Sequence, residues 1–336
     1  MGIDMLPTSF KIYDTIPLDD SAPQRALSKW YSRCLSPNDR TGITKNLIEL
    51  TNDSPLDFTK PVKLQTFADL CDERGVQMLA MNKQIELYWS GGIDSTVALV
   101  SLLKAGAKDQ LVVRCTKESQ DENPEFYKDL IRSNVLLRNV DLTDSGDPSS
   151  IISSGELADQ LFGGGFAFNG GLPNTENVFV PYEDIVPPDV CAYVAPVIAR
   201  YPRPVKTIVD FVGVLQLVYN WQYVKDRWNI AFGGLDRGRT KYFFDTPAFQ
   251  TWSLYTDEQK VRSNKDKKIV LHSFKAIARD YIFNFNKDAQ YHSIKTKQGS
   301  HYASATGIHL LRGRLENWKY VMEDGSIVWR EGSVLG

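Results

Sequence analysis

The chain has 336 residues, of which 42% are hydrophobic and 24% are charged, a composition that excludes a disordered or fibrous protein and fits one or two globular domains. Its 39 Lys and Arg residues nearly balance its 41 Asp and Glu residues, and the net charge is -2. This balance gives no overall attraction to nucleic acid or to an anionic membrane, so any basic site must be local.

Nothing in the sequence predicts a membrane span or an export signal. The longest apolar stretches, such as 208–219, are interrupted by polar residues and are shorter than the roughly 20 residues that a spanning helix needs. The N-terminal residues MGIDMLPTSFK lack the apolar core of a signal peptide. The cysteines form no C-x-x-C pair, which argues against a zinc knuckle. We therefore expect a cytoplasmic protein without a membrane partner.

The first regular pattern begins at Gln84. Residues 1–80 form an N-terminal segment in which recurring prolines break every long pattern, and we assign it no fold. Alternating apolar residues from 85 to 89 predict a strand, the apolar run at 96–103 predicts a buried helix, and 111–115 predicts a second strand. This strand-helix-strand order is a βαβ unit and implies a parallel sheet.

The later patterns alternate helices with loops. In chain order they predict a helix at 124–135, loops at 144–156 and 163–176 around a short helix at 157–162, a proline-marked linker at 181–196, a helix at 205–228 and a hairpin at 318–329. We therefore expect an α/β fold with a doubly wound parallel sheet, a helical C-terminal part and a short terminal β-hairpin.

The sequence SGGIDS at 90–95 lies between the first predicted strand and its helix. Glycines let the backbone approach an anion, a helix N-terminus presents N–H groups to it, and the hydroxyls of Ser90, Ser95 and Thr96 add donors. Asp94 would repel a phosphate unless a cation lay between them, so the loop predicts a bound phosphate with Mg²⁺. The alternative is a tight turn capped by Ser and Asp, with no ligand.

A second motif, SGELADQLFGG, occupies 154–164. Glu156 and Asp159 are three residues apart, so on the first turn of a helix they would share a face, and one could hold a metal while the other holds a proton. The alternative is helix capping, in which Ser154 precedes acidic residues of the first turn.

Together these motifs resemble those of a known family. LYWSGGIDSTVAL resembles the pyrophosphate loop of the N-type ATP pyrophosphatases (PP-loop, adenine nucleotide alpha hydrolase-like), and SGELADQLFGG is similar to the second signature of the asparagine synthetases and β-lactam synthetases. Members of this branch adenylate a carboxylate with ATP, release pyrophosphate and let an amine attack the acyl-adenylate. The resemblance implies a PP-loop nucleotide-binding core at 81–180, a mainly helical synthetase part at 181–336, ATP and Mg²⁺ as cofactors, and small-molecule carboxylate and amine substrates.

The resemblance also implies a role for each matching residue. Glu156 matches the acid/base position, where it would help to deprotonate the attacking amine. The implied ligand contacts are Ser90, Gly91, Gly92 and Ser95 on pyrophosphate, Ser154, Gly155 and Tyr88 on adenosine, and Asp94 and Asp159 on Mg²⁺.

The segment 255–297 is basic: it holds ten Lys and Arg against five Asp and Glu, on a chain whose net charge is -2. Within it, 273–279 predicts a helix that carries Lys275 and Arg279 one turn apart. The sequence around Lys297 resembles the family's R-x-K loop, whose lysine contacts pyrophosphate, so the resemblance implies catalytic roles for Lys297 and Lys275. A solvated helical face is the alternative.

Several positions depart from the family's pattern. Leu157 stands where the family has Gly or Cys, Gln160 where it has Glu, and Gly165 where it has Tyr. Phe243-Phe244-Asp245 is similar to the family's PFLD segment, but GRTKY at 238–242 replaces the E-x-R-x-P pattern upstream of it. Because these positions lie near the family's acyl substrate, we do not assign aspartate as the substrate.

The beginning of the chain bears on the nitrogen source. Residue 2 is Gly rather than the catalytic Cys of glutamine-dependent asparagine synthetases, and 80 residues are too few for their glutaminase domain. We therefore expect free ammonia, a separate ammonia-supplying protein, or another amine. Two alternatives stay open: a PP-loop enzyme that adenylates and modifies a nucleotide or nucleobase, for which nucleic-acid binding would need the basic segment, and an inactive nucleotide-binding homologue.

Overall fold

The computed structural model describes residues 26–27, 30–31, 38–44, 55–59, 61, 63–139, 147–163, 179–222, 224–225, 239–256 and 275–294. Three predicted features lie wholly or partly outside the described residues: the hairpin at 318–329, Lys297, and the basic segment 255–297, of which 257–274 and 295–297 are not described.

The described residues form an α/β fold on a four-stranded, all-parallel sheet. Its strands are β1 (Ile85–Tyr88), β2 (Leu111–Cys115), β3 (Leu136–Asn139) and β4 (Ile151–Ser154), in the spatial order β3-β2-β1-β4. The chain runs outward from β1 to β2 and β3, then returns across the sheet to β4. This reversal is compatible with a doubly wound sheet, in which ligands bind at the carboxyl ends of the strands that flank the reversal. Those strands are β1 and β4.

The described residues also form ten α-helices. The described α-helices are α1 (Phe67–Leu79), α2 (Ile93–Lys104), α3 (Lys117–Glu122), α4 (Pro124–Arg132), α5 (Ala158–Phe162), α6 (Pro188–Ile198), α7 (Ile208–Val214), α8 (Pro247–Tyr255), α9 (Ala276–Asn286) and α10 (Ala289–Ile294). Helix α2 packs against both α1 and α9, and nine of its twelve residues are buried. None of the described helices is long and apolar enough to cross a membrane.

The sheet centre holds one buried ion pair. Every residue of β1, β2 and β4 is buried, as in parallel strands that are covered on both faces. Even so, Glu86 on β1 accepts hydrogen bonds from Arg114 Nε on β2 at 2.8 Å and from Ser150 Oγ at 2.9 Å. Glu86 thus fixes the neighbouring strand and the residue that precedes β4.

A later segment extends the sheet beyond β4. Thr240 forms a parallel bridge with Ile152, whose N–H donates to Arg239 O at 3.0 Å, and Phe243 N–H donates to Ser154 O at 3.3 Å. Arg74 on α1 holds the far end of this segment, because its Nε donates to Phe243 O at 3.0 Å. The segment 239–243 therefore lies along the outer edge of β4.

The structure confirms the predicted βαβ unit and corrects two other predictions. The stretch 144–156, predicted as loop, contains the buried strand β4. The proline-marked stretch 181–196, predicted as a linker, contains most of α6, in which Pro188 takes the first position and Val190, Val194 and Val197 are buried. Proline suits that position because the first N–H groups of a helix have no intrahelical partner. The helix predicted at 205–228 is α7, which continues as a π-helical turn at Leu215–Tyr219.

Candidate functional site

The turn after β1 is closed by its own serines. Ser90 N–H donates to Ser95 Oγ at 3.1 Å, the two serine Oγ atoms are 3.0 Å apart, and Gly92 N–H donates to Ser90 Oγ at 3.3 Å. These bonds fold the turn back onto the first turn of α2. Gly92 is the N-cap of α2 and has no side chain to cap the helix, which leaves this N-terminus suited to an anion.

Gly91 is required at its position for two reasons. Its φ of +71° lies in the left-handed region, and a Cβ there would come within 2.3 Å of Ser119 O. The turn can therefore approach the chain beyond β2 only because residue 91 is glycine.

Gly155 brings the second motif against the first. A Cβ on Gly155 would lie 2.4 Å from Ser95 N and 2.6 Å from the carbonyl carbon of Asp94, so the backbone after β4 is in direct contact with the first turn of α2. Because Tyr88 and Ser154 are register partners at the ends of β1 and β4, the two motifs leave the sheet side by side.

The second motif differs from its sequence-based prediction in local conformation. Leu157 has a φ of +76° and is the N-cap residue of α5, so Glu156 precedes the helix and does not share its first turn with Asp159. Ser154 is the last residue of β4 rather than a helix cap, and its Oγ accepts from Glu156 N–H at 3.3 Å. Both predictions based on a helical first turn are therefore wrong.

A lysine from a third segment lies between the two predicted metal ligands. Lys275 Nζ donates to the carboxylate of Asp94 and lies 2.6 Å from Asp159 Oδ1. The lysine side chain is 1% exposed, whereas those of Asp94 and Asp159 are 24% and 26% exposed. The three side chains form an ion cluster, here called the Asp-Lys-Asp cluster, that is buried on the lysine side and open to solvent on the carboxylate side.

The charge of the cluster follows from its geometry. Burial disfavours the charged ammonium, but the carboxylates of Asp159 and Asp94 outweigh burial and raise the pKa of Lys275 above its ordinary value. Lys275 is therefore an ammonium at neutral pH.

Lys275 is the N-cap of α9 and not a residue within the helix, which corrects the helix predicted at 273–279. Its backbone is left-handed, with a φ of +58°. Arg279 still lies one turn away, since its N–H donates to Lys275 O at 3.1 Å, and its side chain is buried.

Tyr291 on α10 is a site residue that no sequence pattern indicated. Its hydroxyl donates to Gly91 O at 3.5 Å. Burial raises the pKa of Tyr291, and the nearby Asp94 carboxylate adds to this effect, so the phenol keeps its proton. A single tyrosine on a short helix has no local pattern that marks it, because its contact joins residues far apart in sequence.

One departure from the family pattern, Gln160, and one match to it, Asp245, have partners outside the site. The Gln160 side chain is buried and donates to Gln216 Oε1 at 2.8 Å, on the π-helical turn, so this residue is part of a polar core. Asp245 of the FFD segment pairs with Lys225, with Nζ 2.5 Å from Oδ2. Neither side chain belongs to the Asp-Lys-Asp cluster.

Other predicted positions lie near the site in different environments. Tyr88 is buried at the end of β1, and Thr96 Oγ1 accepts from Trp89 Nε1 at 2.9 Å. Within the described ranges, no group of three or more His, Cys, Asp or Glu side chains is placed to hold a metal ion. The roles predicted for Glu156, Ser154, Gly155 and Tyr88 toward a ligand stay predictions.

Comparison of the sequence with protein-family models and with curated proteins found no match.

Proposed function

We propose that the protein is an ATP-dependent amide-forming ligase of the asparagine synthetase type, active in the cytoplasm, which adenylates a carboxylate and releases AMP and pyrophosphate. One observation carries the proposal. The two sequence motifs that resemble the family meet at the carboxyl ends of adjacent parallel strands, in contact through Gly155, with the ammonium of Lys275 between their aspartates.

Binding of pyrophosphate is supported by the geometry of the first turn. The N-terminus of α2 carries the partial positive charge of its helix dipole, and it adjoins the hydroxyls of Ser90 and Ser95. Gly91 and Gly92 bring the backbone itself close to the phosphates. These groups bind the β- and γ-phosphates, while Ser154, Gly155 and Tyr88 line the adenosine side.

The residues present fit Mg²⁺. Asp94 and Asp159 come from different elements and already converge on one positive charge, the ammonium of Lys275. Mg²⁺ is commonly held by one or two carboxylates together with substrate phosphates, so two aspartates suffice. Asp94 and Asp159 would hold the ion, which when bound neutralises charge on the phosphates.

In the proposed reaction, the lysines and Glu156 have different roles. The substrate carboxylate attacks the α-phosphorus, pyrophosphate leaves, the amine attacks the acyl carbon, and AMP leaves. Lys275 neutralises the charge that grows on pyrophosphate, together with Lys297, which lies outside the described residues. Glu156 accepts a proton from the amine. The amine is ammonia, supplied free or by a partner protein, or a second small molecule.

Isotope exchange between pyrophosphate and ATP, measured against a panel of carboxylates, tests the proposal. We expect exchange that depends on one carboxylate, and its loss in Asp94→Asn. The matched control is Asp121→Asn, since Asp121 is an exposed aspartate on α3 whose pairing with Lys117 lies outside the site. Normal exchange in Asp94→Asn, or no exchange with any carboxylate in the wild type, would contradict the proposal.

One observation favours the alternative of an inactive nucleotide-binding homologue: Lys275 already occupies both carboxylates. Production of AMP from ATP with any acceptor would exclude that alternative. Nucleotide binding without AMP, whichever acceptor is supplied, would establish it.

A further inference from the structure

We propose that the ammonium of Lys275 is a built-in competitor of divalent cations: without nucleotide it occupies the carboxylates of Asp94 and Asp159, and a divalent cation enters only by displacing it. The inference rests on the proposed function for the identity of the metal site, and it goes further by assigning Lys275 a role before any chemistry takes place.

The geometry makes the two cations mutually exclusive. Nζ of Lys275 bonds to the carboxylate of Asp94 and lies 2.6 Å from Asp159 Oδ1, so it occupies the space between the two acids. A divalent ion bound to the same oxygens would lie within a few ångströms of the ammonium. With Lys275 1% exposed, solvent does little to screen the repulsion between them.

The backbone of Lys275 is held in an unfavourable conformation. Its φ of +58° lies in the left-handed region, which is unfavourable for a residue with a side chain. The contacts of its ammonium with the two carboxylates and with the Phe162 ring, whose centroid is 5.8 Å from Nζ, stabilise this conformation. Once a divalent cation takes over the carboxylates, the lysine loses these contacts and gains a new anionic partner in the nucleotide phosphates.

The exposure of the cluster gives the direction of entry. The side chains of Asp94 and Asp159 are 24% and 26% exposed, whereas Asp159 Oδ1, the oxygen that the ammonium contacts, is buried, so an ion from solvent first meets the exposed parts of the carboxylates and reaches that oxygen only when the ammonium leaves. An ion on the solvent side needs no opening of the sheet.

Electron paramagnetic resonance of Mn²⁺, added alone to the full chain, measures the competition. We expect Lys275→Met to bind Mn²⁺ more tightly than the wild type by a factor of about ten or more, because removing one member of a buried ion pair leaves charge that a new cation neutralises. The double variant Lys275→Met/Asp94→Asn should lose the gain. The control Lys128→Met removes an exposed lysine that pairs with Glu125 on α4 and should leave the affinity unchanged. Equal Mn²⁺ affinity of the wild type and a folded Lys275→Met would overturn the proposal.

A second measurement uses only the wild type, in case Lys275→Met does not fold. Acetylation of Lys275 by an amine-modifying reagent, followed by mass spectrometry, should be slow without metal and several times faster as Mg²⁺ is added, while acetylation of Lys128 stays constant. A rate at Lys275 that does not respond to Mg²⁺ would overturn the proposal.

Neither measurement uses ATP or turnover. Failure of pyrophosphate exchange together with tighter Mn²⁺ binding in Lys275→Met would contradict the ligase and support the competition. Normal exchange together with unchanged Mn²⁺ binding in Lys275→Met would support the ligase and contradict the competition.

Discussion

The contact between Gly155 and the first turn of α2 permits a quantitative prediction for Gly155→Ala. The added Cβ would lie 2.4 Å from Ser95 N, 2.6 Å from the carbonyl carbon of Asp94 and 2.8 Å from Ser95 Cα. All three atoms are backbone, so no side chain can rotate away. Relief requires the loop after β4 and the start of α2 to separate by about 1 Å, and overpacking of this kind costs about 1–3 kcal/mol.

The same displacement should weaken the candidate site more than it weakens the fold. Misplacing groups that hold a substrate by about 1 Å can cost on the order of 100-fold in rate, because their geometry toward the ligand is lost. We expect Gly155→Ala to remain folded, to unfold at a lower urea concentration, and to lose most of the pyrophosphate exchange.

Gly213→Ala is the matched control. Gly213 lies within α7, and a Cβ there would meet open space, so the substitution should stabilise the protein by about 0.5–1 kcal/mol. Urea unfolding followed by circular dichroism compares the two variants. If Gly155→Ala proved as stable as the wild type and kept its exchange rate, the inferred contact between the two motifs would be refuted.

Three further predictions concern the surrounding structure. Leu157 is buried and its backbone is left-handed. Because glycine removes the strain of this conformation, Leu157→Gly should be more stable than Leu157→Ala by about 1 kcal/mol in urea unfolding. The reverse order of stability would refute the strain. Glu86→Gln breaks the buried ion pair with Arg114 and should lower the free energy of unfolding by about 3–5 kcal/mol, whereas the exposed Glu125→Gln should lower it by less than about 1 kcal/mol. Equal losses in the two variants would show that burial is not the cause. The hydroxyl and backbone N–H of Thr66 lower the pKa of Asp69 below its ordinary value of 3.8. The contribution of Asp69 to stability should therefore be constant above pH 3.8 and be lost as the pH falls through the folded pKa of this carboxyl. A stability difference between wild type and Asp69→Asn that persists in stronger acid would contradict this.

The βαβ unit could be predicted from sequence because its signals are local. The apolar run at 85–89, the two glycines and the apolar run at 96–103 each indicate one element, and the observed β1 and α2 follow them. The turn at 90–95 could be predicted equally well, since two glycines lie between the strand and the helix, while the anion site expected there stays a prediction.

Strand β4 could not be predicted in this way. Half of it is Ser153 and Ser154, and its flanks are rich in Ser, Gly and Asp, so its local pattern is that of a loop. Its burial comes from β1 on one side and from the segment 239–243 on the other, and neither neighbour leaves a signal within β4 itself.

The contacts of Lys275 could not be predicted from sequence patterns for a related reason, although the family resemblance implied a catalytic role for this residue. A lysine before a helix is ordinarily solvated, and its burial here depends on two aspartates that lie more than 100 residues away. Only the fold brings the three charges together.

The segment that lies along β4 has a consequence for synthesis of the chain. Thr240 and Phe243 complete the edge of a strand that ends at Ser154, and Lys275 then contacts Asp94 of the first motif and Asp159 of the second. Contacts between such distant parts of a chain slow folding, because a long loop must close before they form. When both motifs have emerged from the ribosome but the rest of the chain has not, the outer edge of β4 is therefore incomplete, and Asp94 and Asp159 lack the ammonium of Lys275. The candidate site is completed only when residue 275 has left the ribosome.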